Sequence, residues 1–147
     1  MAESRLDREK LKFFGGGLHE IKHGGFTTTT GGTTVFLTID PDPGIAYFFD
    51  CYVASAEEDQ AEPREDAVLH RALYTCSPEG LLFFDGQQEL MATSGGYTDV
   101  VFGIAANNIT VGVEMNNSAN WQHWYRLELR WLPLDRYTTT LDPWPSG

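Results

Sequence analysis

The sequence lacks any long run of apolar residues. Its first ten residues, MAESRLDREK, are not followed by an apolar run of signal-peptide length. No later segment approaches the ~20 uninterrupted apolar residues that a membrane-spanning helix requires. We therefore expect a soluble, cytoplasmic protein that does not enter a membrane.

Positively charged residues are scarce beyond the first 22 residues. The 147-residue chain has a formal net charge of -11, and five of its ten Lys and Arg residues lie within residues 1–22. The rest of the chain has five bases against 17 acids. Such a surface repels nucleic-acid phosphates and anionic lipids, so we expect no nucleic acid and no membrane among the partners.

Cysteine is rare, and the motifs of several catalytic classes are missing. Cys51 and Cys76 both lie in predicted strands, which favours buried thiols, with a disulfide between them as the alternative. The sequence has no nucleophile elbow, no glycine-rich phosphate loop, no C-x-x-C pair and no RNP-like aromatic motif. We therefore expect neither nucleotide nor redox chemistry, and no cofactor.

Aromatic residues are abundant, and one stretch shows how they are arranged. They make up 13% of the chain, which excludes disorder as the default. In residues 120–132, NWQHWYRLELRWL, large apolar residues fall on one parity and mostly polar residues on the other. A period of two is typical of a β-strand with one buried face. The predicted inward parity holds Trp121, His123, Tyr125, Leu127, Leu129 and Trp131.

Turn signals divide the chain into further short β-prone runs. The run over residues 45–54 is apolar on both parities, which is typical of a strand covered on both faces or of one in a closed barrel. The connections are mostly short and join antiparallel neighbours. The sequence therefore predicts a mainly β protein, a single antiparallel β-barrel or closed β-sandwich of about eight strands. The predicted strands are residues 34–39, 45–54, 67–76, 81–85, 89–94, 98–106, 109–115 and 120–132.

Three ranges follow from this division. Residues 1–33 are predicted as a short N-terminal helix, over residues 3–13, and a glycine-rich arm, while 34–133 form the β domain and 134–147 an extended C-terminal tail. A homo-oligomer is possible, because the arm could pair with another subunit. The length and strand count are similar to those of lipocalin-like and allene-oxide-cyclase-like barrels, although the lipocalin G-x-W signature is absent. This likeness implies an architecture only.

One motif has the spacing of a metal site. His19, Glu20 and His23 match H-E-x-x-H, which on a helix brings both imidazoles to one zinc ion beside a catalytic glutamate. Glycines on both sides leave too little room for such a helix. In a strand the two histidines would lie about 13 Å apart, too far for one ion. We therefore predict a polar linker and no metal, with this triplet as the alternative.

His123 and Asp50 are the candidate catalytic residues. His123 lies among aromatic residues, where it can line a pocket and move a proton, or be a core histidine bonded to backbone or water. Asp50 is the one ionisable residue of its predicted strand. Turned inward it would be a desolvated acid, and turned outward a surface carboxylate. The candidate ligand-binding residues are Trp121, Tyr125, Trp131, Tyr52 and Phe48.

The surplus of rings predicts a small-molecule-binding β-barrel with an aromatic-lined interior for an apolar or cyclic ligand. If it is an enzyme, it would be a cofactor-free cyclase or isomerase that acts mainly by positioning its substrate. The first alternative is an acidic protein-interaction module, such as an inhibitor, immunity or accessory protein, that presents residues 40–66 to a basic partner. The second is a sugar-binding β-sandwich that exposes Trp121, Trp124 or Trp144.

Overall fold

The computed structural model describes residues 18–58 and 60–134, and in these ranges the chain forms eight strands and no helix. The prediction of a mainly β protein is confirmed. The predicted helix over residues 3–13 and nearly all of the predicted tail lie outside the described residues. In the part of the chain described, no helix is long and apolar enough to cross a membrane. The strands are β1 (Leu18–Thr28), β2 (Gly32–Ile39), β3 (Ile45–Glu57), β4 (Glu65–Cys76), β5 (Leu82–Ala92), β6 (Thr98–Ala105), β7 (Asn108–Met115) and β8 (Trp121–Pro133).

The strands form two antiparallel sheets. The larger sheet has the order β1-β8-β3-β4-β5, and the smaller sheet has the order β2-β7-β6. The central strand β3 pairs with β4 on one side and with the distant β8 on the other. The pairings over 18–58 and 60–134 do not join into a ring, so no closed barrel is found in these ranges.

Apolar and polar residues alternate along β8, and the apolar parity is buried, as the sequence predicts. Trp121, Leu127 and Trp131 are buried, while Trp124 and Arg130 are exposed. In β3, odd-numbered residues point into the core and even-numbered residues point to the opposite face of the sheet. Both parities of β3 are apolar because one meets the core and the other lines grooves on the outside.

The inner faces of the two sheets share one hydrophobic core. Phe49 of the larger sheet meets the ring of Phe102 on the smaller sheet, with 5.7 Å between ring centroids. It also meets Tyr74 edge-on at 5.7 Å. Each of these buried rings contributes roughly 2–3 kcal/mol to the free energy of unfolding. The smaller sheet adds aliphatic side chains: Ile39, Val100, Ile109, Val111 and Val113.

Two side chains of the larger sheet bond to the backbone of β6, one of the two edge strands of the smaller sheet. The Tyr74 hydroxyl donates to the carbonyl of Gly103 at 2.8 Å. Burial raises the pKa of Tyr74, so this hydroxyl remains a donor at neutral pH. The Gln87 amide donates to the carbonyl of Val100 at 2.7 Å and accepts from the N–H of Phe102 at 3.3 Å. These bonds satisfy groups that an edge strand would otherwise leave open.

Asp66 holds the connection into β6. Its carboxylate is buried and accepts from the backbone N–H groups of Tyr97 and Thr98, at 2.7 and 2.8 Å. The hydroxyl of Thr93 donates to its other oxygen. Hydrogen bonds to a carboxylate are stronger than neutral ones, so Asp66 fixes the end of β5 against the start of β6.

β1 lies in the range that the sequence leaves as a glycine-rich arm. It pairs with β8 over its whole length, from Leu18 opposite Trp131 to Thr28 opposite Trp121. Its partner is more than 90 residues away in the chain, so local sequence does not reveal it. At Gly24 an added Cβ would lie 3.0 Å from the ring of Tyr125. In the sequence, Gly24 looks like a residue that would interrupt a strand. In the structure, its missing side chain leaves space for the Tyr125 ring.

β5 is one strand where the sequence predicts two strands and a turn. It pairs with β4 from Leu82 to Ala92, with two register shifts along the way. Gly86 has a φ of +146° and lies at one of these shifts. The predicted turn at Asp85 and Gly86 is therefore wrong, because a β-bulge and a hairpin turn carry the same glycine signal.

Candidate functional site

The predicted site residues divide between the two faces of the five-stranded sheet. The inward-facing group is Trp121, His123, Tyr125 and Trp131, and the outward-facing group is Phe48, Asp50 and Tyr52. The sheet thus separates the two candidate catalytic residues. His123 and Asp50 cannot face one bound substrate.

His123 is completely buried, at 0% exposure, and both of its ring nitrogens have partners. Nε2 lies 2.9 Å from the hydroxyl of Thr28, and Nδ1 lies 2.7 Å from the hydroxyl of Ser55. The ring of Phe26 stacks on it at 4.7 Å and also contacts Tyr125. Burial lowers the pKa of His123 to about 4, so the imidazole is neutral at pH 7. His123 is thus buried in the core, as in the core-histidine alternative, but its partners are side-chain hydroxyls and not backbone or water.

The two inward tryptophans are enclosed by other side chains. The indole N–H of Trp121 donates to Asn117 at 2.9 Å, and its ring lies 5.5 Å from that of Tyr97. Trp131 packs edge-on against Tyr47, with 5.5 Å between centroids. A ligand between the sheets would have to displace rings that are already in contact.

The opposite surface of the five-stranded sheet, which we call the outer face, is open. Three of the five Lys and Arg residues in the described ranges lie on it, and all three are arginine. Asp50 and Glu128 lie among these arginines, and Glu65, which is opposite Ala56 of β3, lies at the margin of the same face. The outer face comprises His19, Ile21 and His23 of β1, Phe48, Asp50, Tyr52 and Ala54 of β3, Ala67, Leu69, Arg71 and Leu73 of β4, Gln88 and Met91 of β5, and Trp124, Arg126, Glu128, Arg130 and Leu132 of β8.

A row of ion pairs crosses the outer face. The Arg71 guanidinium donates to both oxygens of Asp50, at 2.8 and 3.1 Å, and this hydrogen bonding raises the pKa of Arg71. A guanidinium nitrogen of Arg130 lies 3.9 Å from Asp50. Glu128 pairs with Arg126 at 3.2 Å and with Arg130 at 3.9 Å. Asp50 is therefore an ion-paired carboxylate, which is the outward alternative.

Two apolar grooves flank this row. The Phe48 groove has a volume of about 500 Å³ and is walled by Phe48 and Leu132. The Trp124 groove has a volume of about 530 Å³, and it is walled by Tyr52, Trp124 and Met91 above a floor of alanines from β3 and β4. Trp124 is 48% exposed and Met91 71% exposed. Both volumes fall in the range of ligand-sized clefts.

The H-E-x-x-H triplet lies on strand β1. His19 and His23 are on the outer face, four residues apart along the strand, which is about 13 Å. Glu20 is on the opposite face of the strand and pairs with Lys22 at 3.1 Å. His19 is near Glu128, at 3.9 Å. The structure therefore does not bring the three residues together.

Several acids of residues 40–66 are used within the protein. Glu57 is buried and accepts from the Arg64 guanidinium at 3.0 and 2.5 Å. Hydrogen bonding from Arg64 lowers the pKa of Glu57. Asp50 and Asp66 have the partners given above. The acidic surface that remains for a basic partner is smaller than the sequence count suggests.

The two cysteines are too far apart for a disulfide. Cys76 lies opposite Ile45 in the β3–β4 pairing. Ile45 is six residues before Cys51 in β3, which is about 20 Å along that strand, too far for a disulfide. Burial raises the pKa of Cys51 to about 12, so its thiol is unreactive at neutral pH.

Sequence reasoning missed the grooves, although part of their signal is present. Trp124 is the one aromatic residue on the polar parity of β8, and Phe48 and Tyr52 lie on the outward parity of β3. Only the pairing of β3 with β8 makes these residues neighbours. That pairing joins strands about 70 residues apart, and no local pattern predicts it.

No protein-family model matches this chain, and no characterised relative was found. Among solved structures, it is similar to the tailspike protein of Acinetobacter baumannii phage AM24, at 8% identity and a TM-score of 0.44, over 80% of this chain and 26% of that one. It is also similar to a tailspike of Acinetobacter baumannii bacteriophage Fri1, a capsular polysaccharide depolymerase, at 8% identity and a TM-score of 0.48, over 86% of this chain and 19% of that one. The chain thus spans about a quarter or less of these proteins, and likenesses this weak carry no functional argument.

Proposed function

We propose that this protein is an assembly module that associates with a second copy of itself through the outer face. The observation that supports this is the pair of apolar grooves on either side of an ion-paired row. Exposed apolar surface of this kind is unusual on a monomer. The sequence suggests a protein interaction through the acidic residues 40–66. We propose instead that the interaction uses the apolar grooves and arginines of the outer face.

The composition of the outer face is that of a protein interface. Interface cores are enriched in aromatic residues, Met and Arg, and depleted in Lys. The outer face has Phe48, Tyr52, Trp124 and Met91 beside three arginines, and no lysine. Met and Leu walls suit an apolar protein side chain better than they suit a sugar ring, which needs more polar partners.

The charges on the outer face of one copy can pair with opposite charges on the outer face of a second copy. Asp50 and Arg71 are directly opposite each other on β3 and β4. A two-fold axis between these strands and parallel to them sets Asp50 of one copy against Arg71 of the other. The same axis sets Tyr52 against Leu69, so apolar residues meet apolar residues. The rest of the acidic surface stays in solvent.

The outer face is large enough for a dimer contact. The four strands that this axis brings together, β8, β3, β4 and β5, are each about 4.8 Å wide, and with four pairs of residues along them they cover roughly 20 by 25 Å, or about 500 Å² per copy. The two copies together would bury about 1,000 Å², which is near the lower limit for a specific interface. We therefore expect a dimer with a dissociation constant in the micromolar range.

Sedimentation equilibrium at about 1 to 100 µM protein tests this proposal. We expect a monomer–dimer equilibrium in which Trp124→Ala and Met91→Ala each weaken association at least tenfold, because both residues wall a groove. The matched control is Val35→Ala, an exposed residue on the smaller sheet. High salt should have little effect, because the charged residues are already paired within each copy.

A wild-type protein that stays monomeric over this range would contradict the proposal. Glycan binding that is lost in Trp124→Ala would then favour the sugar-binding alternative. Salt-sensitive binding of a basic protein would favour residues 40–66 as the contact. An apolar ligand that raises the melting temperature without contacting the outer face would favour the interior site, with or without cyclase or isomerase activity.

A further inference from the structure

Three potential metal ligands meet where the two sheets are joined through β5 and β6. They are His70 on β4, Glu89 on β5 and Asp99 on β6, and one ligand atom of each lies within 4.8 Å of the others. Nε2 of His70 lies 2.9 Å from Asp99 and 3.6 Å from Glu89. None of these residues belongs to the outer face.

The buried nitrogen of His70 points to a ligand at this place. The residue is 5% exposed, and its Nε2 atom is buried and forms no hydrogen bond of good geometry, although the Asp99 carboxylate lies at ion-pair distance. A buried polar atom without a hydrogen bond is costly and rare in folded proteins. The carboxylates of Glu89 and Asp99 are about half exposed, so an ion can reach them from solvent.

We propose that His70, Glu89 and Asp99 bind one zinc-type divalent cation that joins the two sheets. Two atoms bound to one zinc ion at ~2.1 Å lie ~3.0–3.4 Å apart, close to the 2.9 and 3.6 Å that separate His70 Nε2 from the two carboxylates. An imidazole with two carboxylates suits zinc and similar transition metals better than calcium or magnesium. The cation neutralises two acids of an acidic protein and ties β4 and β5 to β6.

The other ring nitrogen determines how strongly the site binds. Nδ1 of His70 lies 2.8 Å from the amide nitrogen of Gln87, which also donates to the carbonyl of Val100. A metal-bound imidazole carries its proton on Nδ1 and needs an acceptor there. Gln87 must therefore turn its oxygen to Nδ1 and give up its bond to Val100. This rearrangement makes binding weaker than in a site whose surroundings are already arranged for the metal.

Zinc titration of the purified protein tests the proposal. We expect one equivalent of Zn²⁺ to bind and to raise the melting temperature by several degrees, because the ion binds the folded state only. Asp99→Asn and Glu89→Gln should each weaken binding at least tenfold. Both side chains are exposed, so these variants should fold. The matched control is Glu114→Gln, an exposed acid on β7, which should bind zinc as the wild type does.

The H-E-x-x-H triplet provides the second control. A protein with both His19→Gln and His23→Gln should retain the zinc affinity, because those histidines lie elsewhere. The ¹⁵N resonance of His70 Nε2 should shift with one equivalent of zinc, and that of His123 should not. Absence of binding, or equal affinity in Asp99→Asn, Glu89→Gln and wild type, would overturn the proposal and leave His70 as an ion-paired residue only.

Discussion

Lowering the pH should destabilise this protein through His123. The folded state holds the imidazole neutral, with a pKa of about 4, against an ordinary value of 6.5. Below pH 6.5 the unfolded chain takes up a proton that the folded protein does not, so stability is full above about pH 6.5 and falls as the pH drops towards 4. At 1.36 kcal/mol per pKa unit, the loss between pH 7 and 4.5 is roughly 2 kcal/mol.

The surroundings of His123 explain why its imidazole stays unprotonated in the folded state. Its partners are the hydroxyls of Thr28 and Ser55 and the ring of Phe26, none of which carries a charge. A protonated imidazole would be a donor at both nitrogens, and one of the hydroxyls would have to turn its hydrogen away. Among residues 18–58 and 60–134, no carboxylate is bonded to the ring to offset the cost of desolvating the charge.

Urea denaturation at pH 7 and 4.5 measures this effect. His123→Gln keeps a polar side chain without a titrating group, so its stability should change between the two pH values by roughly 2 kcal/mol less than that of wild type. His23→Gln, at an exposed position on the outer face, should keep the wild-type pH dependence. Other acids titrate equally in all three proteins and cancel. An unchanged pH dependence in His123→Gln would refute the reasoning.

Two further substitutions test how the two sheets are joined, and a third tests the packing of β2 against β7 within the smaller sheet. Tyr74→Phe removes a bond to the backbone of β6 and should lower the free energy of unfolding by about 1 kcal/mol in urea denaturation, while exposed Tyr52→Phe should not. Gly112→Ala places a Cβ 2.6 Å from the carbonyl oxygen of Thr34, so it should lower the melting temperature by several degrees; an unchanged melt would mean that β2 yields easily. Asp66→Asn loses a charged acceptor and should cost about 2 kcal/mol, with faster hydrogen exchange at the N–H of Thr98. Slow exchange there would contradict the role given to Asp66.

Much of the fold was predictable because strands carry their own period. The parity of Trp121, Leu127 and Trp131 identifies the buried face of β8 from local sequence alone. Where hydrogen-bonding partners are distant, the signal disappears. The sequence predicts an arm in place of β1, because Gly24 can be explained only when Tyr125 of β8 is known to pack against it. The sequence predicts two strands in place of β5, because a glycine such as Gly86 is equally typical of a turn and of a bulge.

The candidate site was harder to predict for a different physical reason. Alternation shows which residues of a strand share a face, but not which face a second layer covers. His123 and Trp124 are adjacent, and only the sheet pairing places one among buried hydroxyls and the other in an open groove. The three residues of the proposed cation site come from β4, β5 and β6, at unrelated positions in the sequence.

The two apolar parities of β3 connect the sequence with the proposed assembly. In the sequence they indicate a strand covered on both faces, yet the residues in ranges 18–58 and 60–134 cover only the inner one. Phe48 and Tyr52 remain about two-fifths exposed at the centre of the sheet. Exposed apolar surface of this size favours association. A second copy that lays its outer face on the first would cover both residues, and it would give the outward parity of β3 the same physical explanation as the inward one.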